Sequence, residues 1–186
     1  MINPYSIGKQ VYLRAPNASD ANDSSWYEWF SDPEVTRYLG ESRFWPNSRE
    51  SQIEFYESIK NAKDRLVLMI CDKQTNELIG VCNLSKINWV HRYADLALVI
   101  GEEKYRNGTV AVETMLLLLD IAFNKLNLRN IKAGHISTNP MTPVLCKLCG
   151  FKEVGRFKKL AYYFGNYVDM VYYQLSRETW LLRNRK

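Results

Sequence analysis

Apolar and polar residues alternate over residues 10–15 (QVYLRA), the period of two that marks a half-buried strand. The spacing becomes helical over residues 19–30, where Trp26, Trp29 and Phe30 follow the potential caps Ser19 and Asp20. Asp32-Pro33-Glu34 opens a short helix reaching to about Leu39, with the aspartate as cap and the proline at the first helical position, where its missing N–H is not needed. Residues 40–46 (GESRFWP) make a loop, and Asn47-Ser48-Arg49-Glu50 reads as a capping box before a helix carrying Ile53, Tyr56 and Ile59. Three apolar runs follow at residues 65–71, 78–90 and 93–100. They are separated by a polar turn over residues 72–77 and by His91-Arg92, links short enough to join antiparallel neighbours in a meander.

From Val110 the apolar residues come too densely for a strand, and Glu113, Asp120 and Asn124 mark one polar stripe at helical spacing, predicting a long, mostly buried helix. Residues 130–138 read as a strand ending at Asn139-Pro140, and residues 140–148 as a helix closed by Gly150 just past its end. Residues 151–159 and 167–174 alternate as a last antiparallel pair around Phe164-Gly165-Asn166, and a short terminal helix begins near Ser176. This order predicts an α+β fold: a mixed, mostly antiparallel central sheet flanked by helices, with one parallel crossover around the long helix. With 186 residues and no repeat, linker or low-complexity segment, a single domain over residues 1–186 is expected.

At 46% hydrophobic and 24% charged residues, the chain has the composition of an ordinary globular domain. No apolar run approaches the ~20 residues of a membrane helix. The first ten residues, MINPYSIGKQ, lack a signal-peptide core, so a cytoplasmic location without a membrane partner is expected. A formal charge of +5 and a pI near 9.0 favour anionic ligands. The basic residues are nevertheless dispersed. Their densest run, Arg183-Asn184-Arg185-Lys186, reads as a solvated helix end, and no nucleic-acid partner is expected. Cys71, Cys82, Cys146 and Cys149 fit free thiols in a reducing compartment. Cys146 and Cys149 have the spacing of half a zinc site, but with no second pair and two isolated histidines, His91 and His135, no metal is expected.

The junction between strand 93–100 and the long helix carries candidate chemistry. Tyr105-Arg106-Asn107-Gly108-Thr109-Val110-Ala111 leads a strand into a helix start through a basic residue, an Asn-Gly turn and small side chains. Free amides and the helix dipole attract an anion at such a place, and Arg106 adds a point charge. An ordinary strand–helix turn is the other reading. Asp95 stands in the otherwise apolar Ala94-Asp95-Leu96, where an acid needs either an ion-pair partner, such as Arg92, or a function.

Taken together, these elements resemble the GNAT superfamily of acyl-CoA N-acetyltransferases, and more narrowly its ribosomal-protein N-terminal acetyltransferase branch. The resemblance rests on the opening VYLRAPNASDANDSSWYEWFSDPEVTRYLG, on Thr138-Asn139-Pro140-Met141-Thr142, on Cys149-Gly150-Phe151 through Gly155, and on Gly165 through Asp169. It implies a GNAT fold with splayed strands, acetyl-CoA as co-substrate, and subunits that commonly pair as homodimers. It would place pantetheine along Leu98, Val99 and Ile100, pyrophosphate on Arg106, Asn107, Gly108, Thr109, Val110 and Ala111, and a further cofactor contact at Asn139. Thr109 occupies a position that is Gly in the family pattern, and a β-branched residue restricts backbone approach there. Asp95 falls where many relatives carry a carboxylate acting through water. Cys146 stands where many carry a tyrosine general acid, with Thr142 or water as substitutes, and His91 is a candidate member of the proton path.

For the acceptor, residues 85–95 resemble both spermidine and nucleotide-aminosugar N-acetyltransferases. A nucleotide-sugar site wants aromatics for the base and cations for the diphosphate, for which Phe44, Trp45, Trp89 and Arg92 are available beside Arg43 and Arg49. A nucleotide-linked aminosugar is therefore the expected acceptor, with protein N-termini and polyamines as alternatives. A non-catalytic coenzyme A-binding module is the remaining reading, because of the departures at Thr109 and Cys146.

Overall fold

The computed structural model describes residues 1–183 and builds them around one eight-stranded sheet. The strands are β1 (Ser6–Ile7), β2 (Val11–Arg14), β3 (Leu66–Asp72), β4 (Leu78–Asn88), β5 (Tyr93–Ile100), β6 (Asn130–Ile136), β7 (Lys152–Tyr163) and β8 (Asn166–Ser176), arranged in the order β1-β2-β3-β4-β5-β6-β8-β7. Every neighbouring pair is antiparallel except β5 and β6. The long helix α5 (Thr109–Asp120), extended by a π-helical turn over Ile121–Lys125, makes the parallel crossover between those two. The expected meander is β3-β4-β5. The last pair is a hairpin whose turn residues Phe164 and Gly165 both have positive φ, as a tight two-residue turn requires.

Helices cover both faces. On one face α5, α6 (Met141–Cys149) and α7 (Arg177–Arg183) enclose the larger core, which includes Leu96, Leu118, Phe123, Ile131, Cys146 and Trp180. On the other, α1 (Ala18–Asp23), α2 (Trp26–Trp29), α3 (Pro33–Thr36) and α4 (Arg49–Ile59) accompany a second core with Tyr12, Trp26, Trp29, Met69 and Val81.

Several local expectations change. The helix expected over residues 19–30 is two helices, because Ser24 takes an extended backbone. The cap of α1 is Asn17, whose side chain accepts from Asp20 N–H while the Asp20 carboxylate accepts from Asn17 N–H, so Asp20 closes a capping box rather than starting the helix. Ser48, not Asn47, caps α4 by accepting from Ser51 N–H, and Asn47 is engaged with Tyr27 and Gln52. Strand β1 was not expected; two residues carry no period. Of the basic tail, Arg183 closes α7 and donates to the Leu148 carbonyl, while residues 184–186 lie outside the described residues.

The site is positioned by one interruption in the sheet. Strands β5 and β6 pair only at Tyr93–Asn130, Ala94–Ile131 and Asp95–Lys132. Beyond that point β5 stays on β4 as far as Ile100, and β6 stays on β8 as far as Ile136. The two halves of the sheet therefore separate into a wedge with its apex at Asp95.

Candidate functional site

The wedge is a cleft of about 300 Å³ whose floor is Leu96 through Ile100 on one side and Ala133, Gly134 and His135 on the other. Strand alternation sorts these side chains by face. Ala94 and Leu96 are buried with α5 and α6, whereas Asp95 is half-buried and Ala97 exposed on the opposite face, under α3. Because β5 has no strand partner on its β6 side past Asp95, its peptide groups there are available to an extended ligand. Val35, Tyr38 and Leu39 roof the cleft, and Asn139, Thr142 and Leu145 border it from α6 and the turn before it. Tyr38 stacks on Tyr163 at 6.0 Å, joining the turn after α3 to the β7–β8 hairpin.

At the mouth the chain turns into α5. Gly108 has φ of +82°, a left-handed conformation that suits glycine, with open space where a Cβ would stand. The Asn107 side chain accepts from both the amide and the hydroxyl of Thr109, at 3.2 and 2.9 Å. The hydroxyl is thereby turned back on the loop, and Gly108, one residue earlier, supplies the backbone freedom that Thr109 lacks. The first bond of the helix is Val112 N–H to the Gly108 carbonyl, which leaves the amides of Val110 and Ala111 without intrahelical partners, as at any helix start. Arg106 is tied by hydrogen bonds to the Ile100 and Gly101 carbonyls and by a 3.8 Å ion pair to Asp32, so its charge sits at the cleft mouth. A groove of about 910 Å³ leads on from the turn between α5 and α6, walled by apolar residues including Leu116, Met141, Val144 and Leu148.

A second cavity adjoins the cleft. Glu28, Asp32, Glu34, Glu102 and Glu103 line about 500 Å³ together with Trp29 and Arg106, and Glu34 and Arg106 belong to both spaces. The chain is basic overall, yet the charge beside the cleft is acidic.

Of the residues singled out by sequence, the structure brings together Leu98, Val99, Ile100, Arg106, Ala111, Asn139 and Thr142 around the cleft, and Asn107, Gly108 and Thr109 on its mouth and the adjoining groove. Val110, buried, anchors the start of α5. Asn139 caps α6, its side chain accepting from Met141 and Thr142 amides. Asp95 stands at the wedge apex, paired with Lys132 at 2.8 Å and Lys86 at 3.7 Å rather than with Arg92. Cys146 is fully buried, and burial pushes its thiol up to about 12, so it is a packed neutral group at neutral pH.

Other candidates lie elsewhere. His91, Trp89 and Arg92 sit at the β4–β5 turn, the closed end of β5. There Trp89 donates to the Lys63 carbonyl, Arg92 to Asn127, and His91 stacks on Tyr93. They do not line the cleft. Phe44 and Trp45 meet the hairpin tip at Tyr162 and Phe164 instead. The four proposed acceptor residues thus fall in two separate places. His135 and the acidic residues were missed: the histidine is isolated in sequence, though its alternation with Ile131 and Ala133 marked it as inward-facing.

The profile of the acetyltransferase (GNAT) domain matches residues 10–152. The chain belongs to the GNAT acetyltransferase family. It is 32% identical over 124 residues to a spermidine N(1)-acetyltransferase of Vibrio cholerae, covering 67% of this chain and 69% of that one. It is 26% identical over 172 residues to the uncharacterized N-acetyltransferase p20 of Bacillus licheniformis, covering 91% and 94%. The crystal structure of a spermidine N-acetyltransferase from Vibrio cholerae in complex with coenzyme A and spermine shares the fold, with a TM-score of 0.85, 24% identity, and coverage of 94% of this chain and 99% of that chain. The GNAT protein described here is an acetyl-CoA-dependent N-acetyltransferase with a mixed, mostly antiparallel sheet split at β5 and β6. Among the described residues no cluster of three or more potential ligands is placed to hold a metal ion, and no helix is long and apolar enough to cross a membrane.

Proposed function

We propose that the enzyme acetylates a small polycationic amine of the polyamine type, with acetyl-CoA threaded through the wedge. The observation that carries the acceptor class is the acidic cavity against the cleft, lined by Glu28, Asp32, Glu34, Glu102 and Glu103. Although Asp32, Glu34 and Glu102 also bond Arg106, Arg37 and Trp29 respectively, the five carboxylates outnumber the cations beside them and favour a ligand with several ammonium groups. A nucleotide diphosphate would be repelled there. The nucleotide-aminosugar reading needed Phe44, Trp45, Trp89 and Arg92 to converge, and their separation removes its support. The name of the 32% identical relative points the same way. Protein N-termini, the substrates of the ribosomal-protein branch, are the rival class.

In this reading pantetheine lies along Leu98, Val99 and Ile100, where β5 has no strand partner on its β6 side and its backbone groups other than the Arg106-bound Ile100 carbonyl complement the pantetheine amides. Pyrophosphate rests on the Gly108–Ala111 turn, and the remainder of coenzyme A runs into the apolar groove between α5 and α6. The left-handed Gly108, the free helix-start amides and the open space around them fit that cargo. The amine approaches from the α3 face over Ala97, and its proton passes through water to Asp95.

The test is thiol release from acetyl-CoA with spermidine, a nucleotide-linked aminosugar and N-terminal peptides as acceptors. Spermidine is expected to be acetylated. The double variant Glu28→Gln/Glu103→Gln is expected to raise its KM about tenfold, since each partly solvated ion pair contributes up to about 1 kcal/mol. Turnover of peptides or the aminosugar with none of spermidine would overturn the acceptor class. An Asp95→Ala rate equal to wild type would remove the role given to Asp95.

A further inference from the structure

We propose that His135 is a proton-carrying residue of the acetyl transfer, its Nε2 meeting the sulfur of coenzyme A as the thiol leaves. The inference rests on the placement of acetyl-CoA in the wedge, and it starts from one unpartnered atom. His135 is 5% exposed, and its Nδ1 lies 2.7 Å from the Ile136 carbonyl oxygen. A carbonyl only accepts, so Nδ1 carries the hydrogen and Nε2 the lone pair. That Nε2 is closed to solvent and has no hydrogen-bond partner. A buried polar atom left unpaired calls for an explanation, and His135 is among the residues that line the cleft. It is fixed in place by stacking on Tyr173, with ring centroids 5.5 Å apart.

Its face decides which proton it handles. Ile131, Ala133 and His135 alternate inward toward α5 and α6, while Asp95 and Ala97 look to the opposite face. The groove between α5 and α6 opens on the His135 side. The amine and the departing sulfur are therefore served from opposite faces of the sheet, and His135 stands on the sulfur's side. The other residues named for this proton do not suit it. Cys146 is fully buried with a thiol raised to about 12, and the Thr142 hydroxyl does not ionise near neutrality. An imidazole gains and loses a proton with ease.

The step balances as follows. Nε2 is closed to solvent in the resting structure, so its proton comes beforehand from a water admitted by local opening of the cleft wall before coenzyme A binds. The amine nitrogen adds to the thioester carbon, the carbon–sulfur bond breaks with its electron pair on sulfur, and sulfur receives the Nε2 proton. The amine's proton leaves on the other face, so one proton enters and one leaves per turnover, without any redox partner.

Two measurements test this. The protein has two histidines, so ring nitrogen NMR spectra are simple, and the His135→Gln spectrum assigns them. Coenzyme A and desulfo-coenzyme A, which lacks the thiol, are titrated separately, with binding of each verified by calorimetry. A shift of the His135 Nε2 resonance with coenzyme A at least severalfold larger than with the desulfo compound is expected. Equal shifts, or none, with both compounds bound would overturn the proposal alone; failure of coenzyme A to bind would overturn the wedge placement as well. In the second measurement, His135→Gln is expected to lower kcat about 100-fold while leaving coenzyme A affinity within about twofold. An unchanged kcat, or affinity that falls in parallel with it, would assign His135 a packing role only.

Discussion

Asp20→Ala is expected to destabilise the fold by about 3–5 kcal/mol, a large part of the ~5–15 kcal/mol that holds a typical domain together. Asp20 and Arg14 form a bidentate pair, at 2.6 and 2.7 Å, with both side chains almost entirely buried. Hydrogen bonding to Asp20 pushes the Arg14 guanidinium further above its ordinary, already high range. Truncating the acid leaves that cation buried with the Ala15 carbonyl and the Cys71 sulfur in place of a carboxylate, and it also removes half of the α1 capping box. The unfolding midpoint should fall by roughly 10 °C. The double change Arg14→Met/Asp20→Leu is expected to recover most of the loss, because a well-packed apolar pair avoids the unpaired charge; it should remain about 1 kcal/mol short for want of the cap. Denaturant unfolding of the three proteins decides this. A single variant within about 1 kcal/mol of wild type would mean that the guanidinium finds water, and that the pair does not hold α1 on the sheet.

Ala97→Phe should do the opposite, sparing the fold and stopping the chemistry. Ala97 is exposed on the α3 face of β5, opposite Asn83 of β4, and lines the cleft two residues beyond the wedge apex. Phenylalanine suits a strand, and its ring would occupy space the protein does not fill. Stability is expected to change by about 0.5 kcal/mol or less. Turnover, by contrast, should drop about 100-fold, since a displaced acceptor loses its aligned approach to the thioester. Coenzyme A, entering from the α5–α6 side, should bind nearly as well as to wild type. The kcat/KM for the amine, read beside coenzyme A calorimetry, separates these effects. Full activity in Ala97→Phe would show that the acceptor does not cross this position.

Much of this architecture was legible because its signals are local. Asp32-Pro33 starts α3, Gly150 ends α6 in a left-handed conformation, and the run from Tyr93 to Ile100 is a strand. The turn from Arg106 to Ala111 also read correctly as the entry to a long helix. What sequence did not reveal depends on which distant segments meet. The partners of Asp95 are set by the β5–β6 register, which brings Lys132 alongside, and by a β-bulge in β4 where Lys86 has φ of +51°. The acidic cavity joins Glu28, Asp32 and Glu34 from the first helices to Glu102 and Glu103 after β5, and net charge hid it. Trp89 and Arg92 are near Asp95 in sequence but lie at the closed end of β5, bound to Lys63 and Asn127. His135 looked isolated because its meaning lies in an absent hydrogen bond, which only the packed structure reveals.

The most direct test of the central claim is a crystal structure with coenzyme A bound. The account predicts pantetheine between Leu96–Ile100 of β5 and the free edge of β6, bonded to the β5 backbone, with pyrophosphate on the amides of Gly108 through Ala111. Coenzyme A seated away from the wedge, or phosphates that leave the start of α5 untouched, would contradict it.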